Sequence, residues 1–102
     1  MIDYKSIRQT LEGQFSDRNS KFYSFLHPIS NLDMHKELIK KYKEQNPNAC
    51  HVCSAYRIYL NGWTDEYGSD DGEPTGSAGL PILNILKKNN LINVGAYVIR
   101  IY

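Results

Sequence analysis

Apolar residues follow two different periods along the chain, and each change of period marks a new element. Two stretches rich in aromatic and aliphatic residues flank a turn-forming run at 17–20, and together they predict a β-hairpin over residues 7–27. A capping box at 30–33 then begins a helix, which ends at Pro47 because proline cannot continue it. The apolar stripe of this helix consists of Met34, Leu38, Ile39 and Tyr42.

The second half of the chain shows the same change of period. An alternating segment predicts a strand, and Asn61-Gly62 predicts a tight turn into a pairing strand. A loop rich in glycine and acidic residues leads into a short helix, in which Pro81 suits the first turn. The last stretch is nearly all apolar, β-branched or aromatic, as in a central strand. The predicted ranges are 50–60 and 63–67 for the two strands, 68–79 for the loop and 94–102 for the last strand.

This order of elements predicts an α+β fold with helices packed on one face of a mixed sheet. A chain of 102 residues has the usual size of one domain, so we expect residues 1–102 to form a single domain. The chain stops within its last apolar stretch, where a complete domain would normally continue into a loop. We therefore expect a domain that is cut short at its C-terminus.

The composition is that of an ordinary soluble globular protein, with 41% hydrophobic and 23% charged residues. Its 12 Lys and Arg residues balance 11 Asp and Glu residues, so contact with nucleic acid or an acidic membrane requires a local patch. The first residues lack the pattern of a secretory signal, and no apolar run approaches the roughly 18 residues of a membrane span. These patterns predict a cytoplasmic protein.

Cys50 and Cys53 form a C-x-x-C motif, which occurs in zinc sites and in redox proteins. A zinc site needs two further ligands, and no second pair of cysteine or histidine residues follows at the spacing of a zinc finger. On a strand, residues three positions apart point to opposite faces, so the two thiols would diverge. We therefore expect both cysteines to pack as small apolar side chains.

The loop at 68–79 combines four glycines with three acidic residues, Asp70, Asp71 and Glu73. Its glycines suit unusual backbone angles, and carboxylates just before a helix stabilise the positive end of that helix. The same carboxylates could bind Mg²⁺, because hard cations prefer oxygen ligands. Local composition leaves both interpretations open, architecture and ion binding.

Basic and aromatic residues are spread along the chain and could converge in the fold. His51 and Arg57 lie on one face of the predicted strand at 50–60, where they could line a polar groove. The alternative is that charges decorate sheet edges while the rings fill the core. A surface that contacts RNA by stacking and by charge would draw on Arg18, Lys21, Arg57 and Arg100 beside Phe22, Tyr23 and Tyr56.

Three segments together resemble the first domain of the IMPACT/YigZ family. The most specific is the run Asp-Asp-Gly-Glu-Pro-Thr-Gly-Ser-Ala-Gly-Leu-Pro-Ile-Leu at 70–83, which is nearly identical to a run found in that family. In order and spacing the resemblance spans residues 18–102. The other two segments are Ser20-Lys21-Phe22 and Ala49-Cys50-His51-Val52-Cys53-Ser54-Ala55-Tyr56-Arg57.

The resemblance implies an α+β fold of the type of the second domain of ribosomal protein S5, which recurs in ribosome-associated and RNA-binding proteins. Eukaryotic relatives restrain a translational stress kinase by binding its ribosome-associated activator, and no catalytic residue of the family carries over. Family members usually continue into a Gly-Gly-rich segment, and many bacterial ones add a ferredoxin-like second domain. By this resemblance we expect both to be missing from the domain described by this sequence. Ser54 and Leu80 stand where an aromatic residue and an arginine are common.

The leading hypothesis is a non-enzymatic binding module, without a cofactor, that contacts RNA or a ribosome-associated protein. The alternative is a metal-assisted hydrolase that uses the three acids of the loop together with a histidine. A third hypothesis is a truncated remnant that folds poorly or only as an oligomer. The predicted site residues are Lys21, His51, Arg57, Asp70, Asp71, Glu73 and Arg100.

Overall fold

The computed structural model describes residues 4–17, 19–49 and 51–101, with all their side chains except those of Phe15 and Asp17. Strands and helices follow in the predicted order, so the hairpin, both helices and the turn at Asn61-Gly62 are confirmed. Neither helix is long and apolar enough to cross a bilayer within these ranges. The elements are β1 (Leu11–Asp17), β2 (Ser20–Pro28), α1 (Leu32–Gln45), β3 (His51–Leu60), β4 (Trp63–Ser69), α2 (Gly79–Lys88) and β5 (Val94–Ile101).

The five strands form one sheet in the order β1-β2-β5-β3-β4, and every neighbouring pair is antiparallel. The α+β class is confirmed, but the prediction of a mixed sheet is wrong. The helix α1 joins β2 to β3, which run in the same direction. They do not pair because β5 lies between them and runs against both, so no parallel ladder forms.

The two helices lie on opposite faces of the sheet, which corrects the prediction that both share one face. Tyr42 of α1 packs against Val52 and Tyr97, whereas Leu83 of α2 packs against Ala55. Successive side chains of a strand alternate between faces, so contacts at 52 and 55 belong to different sides of β3. The physical reason is that residues 52–58 are all buried. Both faces of β3 must therefore be shielded from solvent, and each helix packs on one of them.

The helix α1 begins one residue later than the capping box predicts. Asn31 is its N-cap, and its side-chain oxygen accepts a hydrogen bond of 2.9 Å from the backbone N–H of Met34. The hydroxyl of Ser30 instead donates to the sulfur of Met34 at 3.3 Å. Serine and asparagine are both common caps, so the pattern located the helix start to within one residue.

A layer of imidazole and phenol groups joins α1 to the sheet. The Nδ1 atom of His35 lies 2.8 Å from the hydroxyl of Tyr97, and both side chains are buried. Nearby, Nε2 of His27 forms a hydrogen bond with the hydroxyl of Tyr42. Burial lowers the pKa of His35 and also that of His27, for which the charge of Lys41 adds to the effect.

These two histidines make the stability depend on pH in a definite direction. A histidine whose pKa is lowered by folding binds a proton more readily when unfolded, so acid favours unfolding. The contribution of these histidines to stability should be fully present above pH 6.5, the ordinary pKa of histidine. It should be lost as pH falls through their lowered pKa in the folded state. We expect a lower urea midpoint at pH 5 than at pH 7.5, and a smaller difference in His35→Gln. Equal wild-type midpoints at the two pH values would contradict this.

Candidate functional site

The acidic loop, residues 70–78, connects β4 to α2 and folds back on itself. Asp71, Gly72 and Gly76 have positive φ angles of 47°, 87° and 77°, in a region that glycine adopts most easily. The backbone N–H of Glu73 donates to the carbonyl of Asp70 at 3.0 Å and closes a tight turn. The side chains of its three acids are therefore directed to three different parts of the domain.

The carboxylate of Asp70 caps the start of α2. Its Oδ1 atom accepts hydrogen bonds from the backbone N–H groups of Ala78 and Gly79 at 3.0 and 2.7 Å, and Oδ2 accepts one from Gly76 at 2.9 Å. The first N–H groups of a helix have no partner within the helix, so this carboxylate supplies one. The hydrogen bonds from Gly79, Gly76 and Ala78 lower the pKa of Asp70.

The carboxylate of Asp71 attaches the loop to β3 and α1. Its Oδ2 atom accepts the backbone N–H of Val52 at 2.7 Å, and Oδ1 accepts a hydrogen bond from Nζ of Lys43 at 3.0 Å. The pairing of β3 with β4 stops at Ser54 and Ser69, so Asp71 extends the ladder beyond the end of β4. Its carbonyl oxygen also accepts a hydrogen bond of 2.7 Å from Nδ1 of His51.

Glu73 lies beside a pair of facing residues on β3 and β5. His51 is the register partner of Arg100. The Oε1 atom of Glu73 accepts a hydrogen bond from Nη1 of Arg100 at 3.2 Å and lies 3.9 Å from Nε2 of His51. Arg100 also contacts Ser20 through Nε at 3.4 Å, and its guanidinium lies 5.8 Å from the ring centre of Phe22. The structure thus brings two of the predicted site residues, His51 and Arg100, together beside the acidic loop.

Arg57 does not join this cluster, which corrects the prediction of a His51–Arg57 groove. The two residues are six positions apart on β3, about 20 Å at 3.3 Å per residue. Arg57 is buried, pairs with Glu66 at 3.2 Å and donates to the carbonyl oxygen of Leu91 at 3.1 Å. Both residues lie on one face as predicted, but Arg57 holds the far end of that face together.

Lys21 also lies apart from the cluster. It precedes Phe22 on β2, and neighbouring residues of a strand point to opposite faces. Its register partner is Ile101, whereas the partner of Phe22 is Arg100. Lys21 is therefore exposed on the face that α1 covers, and Arg100 lies on the other face. Arg18, the remaining basic residue of the predicted RNA surface, lies outside the described residues.

The geometry of the three acids does not support the Mg²⁺ interpretation. Asp70 bonds to backbone N–H groups, Asp71 to Lys43 and a strand N–H, and Glu73 to Arg100. In the described part of the chain, no three His, Cys, Asp or Glu side chains are grouped so that they could hold one metal ion. The metal-assisted hydrolase therefore lacks a set of converging ligands at this loop.

Cys53 has the properties of a packed thiol, as predicted. It is buried, and its Sγ atom lies 3.4 Å from the carbonyl oxygen of Asp70. Burial raises the pKa of the thiol to about 11, and the negative charges of Glu73, Asp71 and Asp70 contribute further. A thiol with this pKa is a poor nucleophile at neutral pH. The other cysteine, Cys50, lies outside the described residues.

The raised pKa predicts slow alkylation of Cys53. In a Cys50→Ser variant, which leaves Cys53 as the single thiol, only about one molecule in a thousand carries a thiolate at pH 8. We expect iodoacetamide to label the native variant far more slowly than the same variant in urea, as measured by mass spectrometry. Equal rates in the two conditions would show that the thiol is accessible and ionised.

Sequence reasoning missed a pair of exposed aromatic rings on β4. Trp63 and Tyr67 are 61% and 60% exposed, although aromatic residues usually lie in a core. A signal was available in the sequence, because the two rings alternate with the acidic residue Asp65 and therefore share a strand face with a charge. Lys43 was also missed, since its contact with Asp71 joins parts of the chain that are distant in sequence.

Comparison with known proteins agrees with this description. The sequence profile described as the Impact N-terminal domain matches residues 18–102. The IMPACT family member YvyE of Bacillus subtilis is 37% identical over 97% of this chain and 45% of its own length. An IMPACT family member of Haemophilus influenzae is 35% identical over the whole chain and 50% of its own length. This chain thus spans about half the length of these relatives.

Solved structures show the same fold. One, described only as a hypothetical protein, superposes with a TM-score of 0.82 at 26% identity, over 92% of this chain and 46% of that one. The two-domain translational regulator Yih1 superposes with a TM-score of 0.67 at 23% identity, over 99% of this chain and 40% of Yih1. At 23% identity, the match to Yih1 shows a shared fold alone. With the profile match over residues 18–102, these findings show that the chain belongs to the IMPACT family through its Impact N-terminal domain.

Proposed function

We propose that this chain is a single, non-catalytic binding domain that acts in the regulation of translation in the cytoplasm, and that its partner is a protein of the translation apparatus. Family membership supports the general role, because Yih1, which has the same fold, is a translational regulator. Fold alone does not determine function, so the argument rests on the site.

The observation that carries the proposal is that all three acids of the acidic loop are bound within the domain. Asp70 caps a helix, Asp71 extends a strand ladder and Glu73 pairs with Arg100. A general base or metal ligand must be directed at a substrate or an ion, whereas these carboxylates are directed at their own fold. The most distinctive segment of the chain thus stabilises a scaffold, as a binding domain requires.

The pairing of the basic residues favours a protein partner over RNA. Affinity for phosphate comes from lysine and arginine side chains that replace counterions along the backbone. Of the basic residues predicted to contact phosphate, Arg57 and Arg100 already face carboxylates, and Arg57 is buried as well. The ion pairs are Arg57 and Lys87 with Glu66, Lys43 with Asp71, and Arg100 with Glu73, at 3.0 to 3.2 Å.

The test is sedimentation of the labelled chain with ribosomes purified from Bacillus subtilis, the organism of one relative. We expect the chain to pellet with ribosomes that retain their associated proteins, and to stay in the supernatant with ribosomes stripped by high salt. Absence from both pellets would overturn the role in translation. In parallel, fluorescence anisotropy with a single-stranded RNA should stay flat. Saturable binding that weakens steeply with salt would identify RNA as the partner instead.

A further inference from the structure

The strand β4 forms one outer edge of the sheet. Among the described residues it pairs with β3 alone, so its other side presents main-chain N–H and C=O groups to any strand that could add there. Natural edge strands are commonly protected by charged residues, lysine above all, by proline or by a bulge. The sequence of β4, Trp-Thr-Asp-Glu-Tyr-Gly-Ser, contains neither lysine nor proline, its charges are the two acids Asp65 and Glu66, and it pairs with β3 in continuous register.

One face of this edge is apolar with a single acid at its centre. Trp63, Asp65 and Tyr67 alternate along β4, so their side chains share the face on which α1 packs. The helix packs against β3 and β5, and both aromatic rings remain about 60% exposed. Glu66 lies on the other face and is held by Arg57 and Lys87. The charge on this face is therefore that of Asp65, whose carboxylate also accepts hydrogen bonds of 3.4 and 3.5 Å from the hydroxyl of Tyr56 and keeps its negative charge for a partner.

Charge also indicates what can occupy the edge. A second copy of β4 added antiparallel about a two-fold axis, with Trp63 opposite Tyr67, would place Asp65 directly opposite the Asp65 of the copy. Like charges directly opposite each other destabilise a strand pair, whereas opposite charges stabilise it. The same three positions would suit a strand with a basic residue between two apolar ones. Recognition by strand addition takes affinity from the main chain and specificity from alternate side chains.

We infer that the β4 edge binds an extended segment of a partner protein in which a lysine or arginine, facing Asp65, is flanked at alternate positions by apolar side chains that pack on Trp63 and Tyr67. The segment adds to the sheet as a sixth strand beside β4. This inference rests on the proposed function, because it specifies how the translation-associated protein is held.

The probe is the synthetic peptide Thr-Leu-Thr-Lys-Thr-Leu-Thr, and its control has glutamate in place of lysine. Trp63 is the only tryptophan of the chain, so its fluorescence reports on this edge. We expect saturable change with the lysine peptide and binding about fivefold weaker with the glutamate peptide. The variant Asp65→Lys should reverse this preference, and Asp65→Asn should remove it. Circular dichroism confirms that each variant is folded.

Equal binding of the two peptides, or no binding of either, would overturn the inference for the wild-type chain without any variant. Ribosome sedimentation separates the two proposals. If wild type and Asp65→Lys pellet equally with unstripped ribosomes, the edge is not the contact but the role in translation stands. If wild type does not pellet, the role itself fails. The expected result is that wild type pellets and Asp65→Lys does not.

Discussion

Replacing Gly68 by alanine is expected to destabilise the domain by about 3 kcal/mol, the upper part of the range for overpacking a core. A Cβ atom added at Gly68 would lie 2.6 Å from the carbonyl carbon of Gly79, and closer still to its oxygen. These are backbone atoms at the start of α2, so no side chain can rotate away. Relief would require α2 to move away from β4, which would disturb the hydrogen bonds that Asp70 makes there.

The matched control is Gly13→Ala, also at a strand glycine. A Cβ atom there would meet only the hydroxyl of Ser24, at 2.9 Å, and that side chain can rotate. Urea denaturation followed by circular dichroism should show a much larger loss of unfolding free energy for Gly68→Ala than for Gly13→Ala. Similar losses in the two variants would contradict the close approach of β4 to α2.

Replacing Asp70 by alanine should also lower the melting temperature markedly, because three backbone N–H groups lose their acceptor. Asp33→Ala is the control, since Asp33 is an exposed acid in the first turn of α1. Amide exchange at Gly76 and Gly79 should become faster in Asp70→Ala and remain unchanged in Asp33→Ala. Unaltered exchange at these two amides would refute the capping role.

The contribution of Asp70 depends on pH with a definite sign. Its pKa is lowered in the folded state, so the contribution is complete above the ordinary value of 3.8 and is lost as pH falls through the lowered value. The difference in stability between wild type and Asp70→Ala should therefore be largest near neutral pH and should shrink in acid. A difference that grows in acid would mean that the carboxyl group is better bound when protonated.

Local patterns predicted the elements well because their causes are local. The turn at Asn61-Gly62 has positive φ angles at both residues, 48° and 92°, which these two residue types tolerate best. The proline at 47 and the asparagine next to the start of α1 likewise act on the chain beside them. The order of elements follows directly, and with it the α+β class.

The arrangement of elements in space could not be predicted in the same way. The alternation along β3 shows that the strand has two faces. One of these faces carries the small apolar residues Cys53 and Ala55, which do not by themselves indicate that a helix covers it. The strand β5 lies between β2 and β3 in the sheet. This position depends on which strand edges pair with each other in the folded chain. A mixed sheet and a single covered face were reasonable expectations from element order, and tertiary packing decided otherwise.

The candidate site was predictable in part for the same reason. His51 and Arg100 were both named from the sequence, but their register pairing depends on the strand order. Arg57 shares the face of His51, yet distance along the strand separates them, which a face assignment does not reveal. That carboxylates of the loop stabilise the start of α2 was one of the two interpretations from sequence, but the sequence did not show that Asp70 alone does so. Its donor N–H groups at Ala78 and Gly79 lie eight and nine residues further along the chain.

We expect the acidic loop to stabilise the fold and not to bind a divalent cation. The most direct test is thermal denaturation of wild type and Asp70→Ala, each with EDTA and with Mn²⁺. We expect the substitution to lower the melting temperature and Mn²⁺ to leave both proteins unchanged, because a ligand that does not bind the native state cannot stabilise it. A saturable rise in the melting temperature of the wild type with Mn²⁺, absent from Asp70→Ala, would contradict this and show that the loop binds a divalent cation.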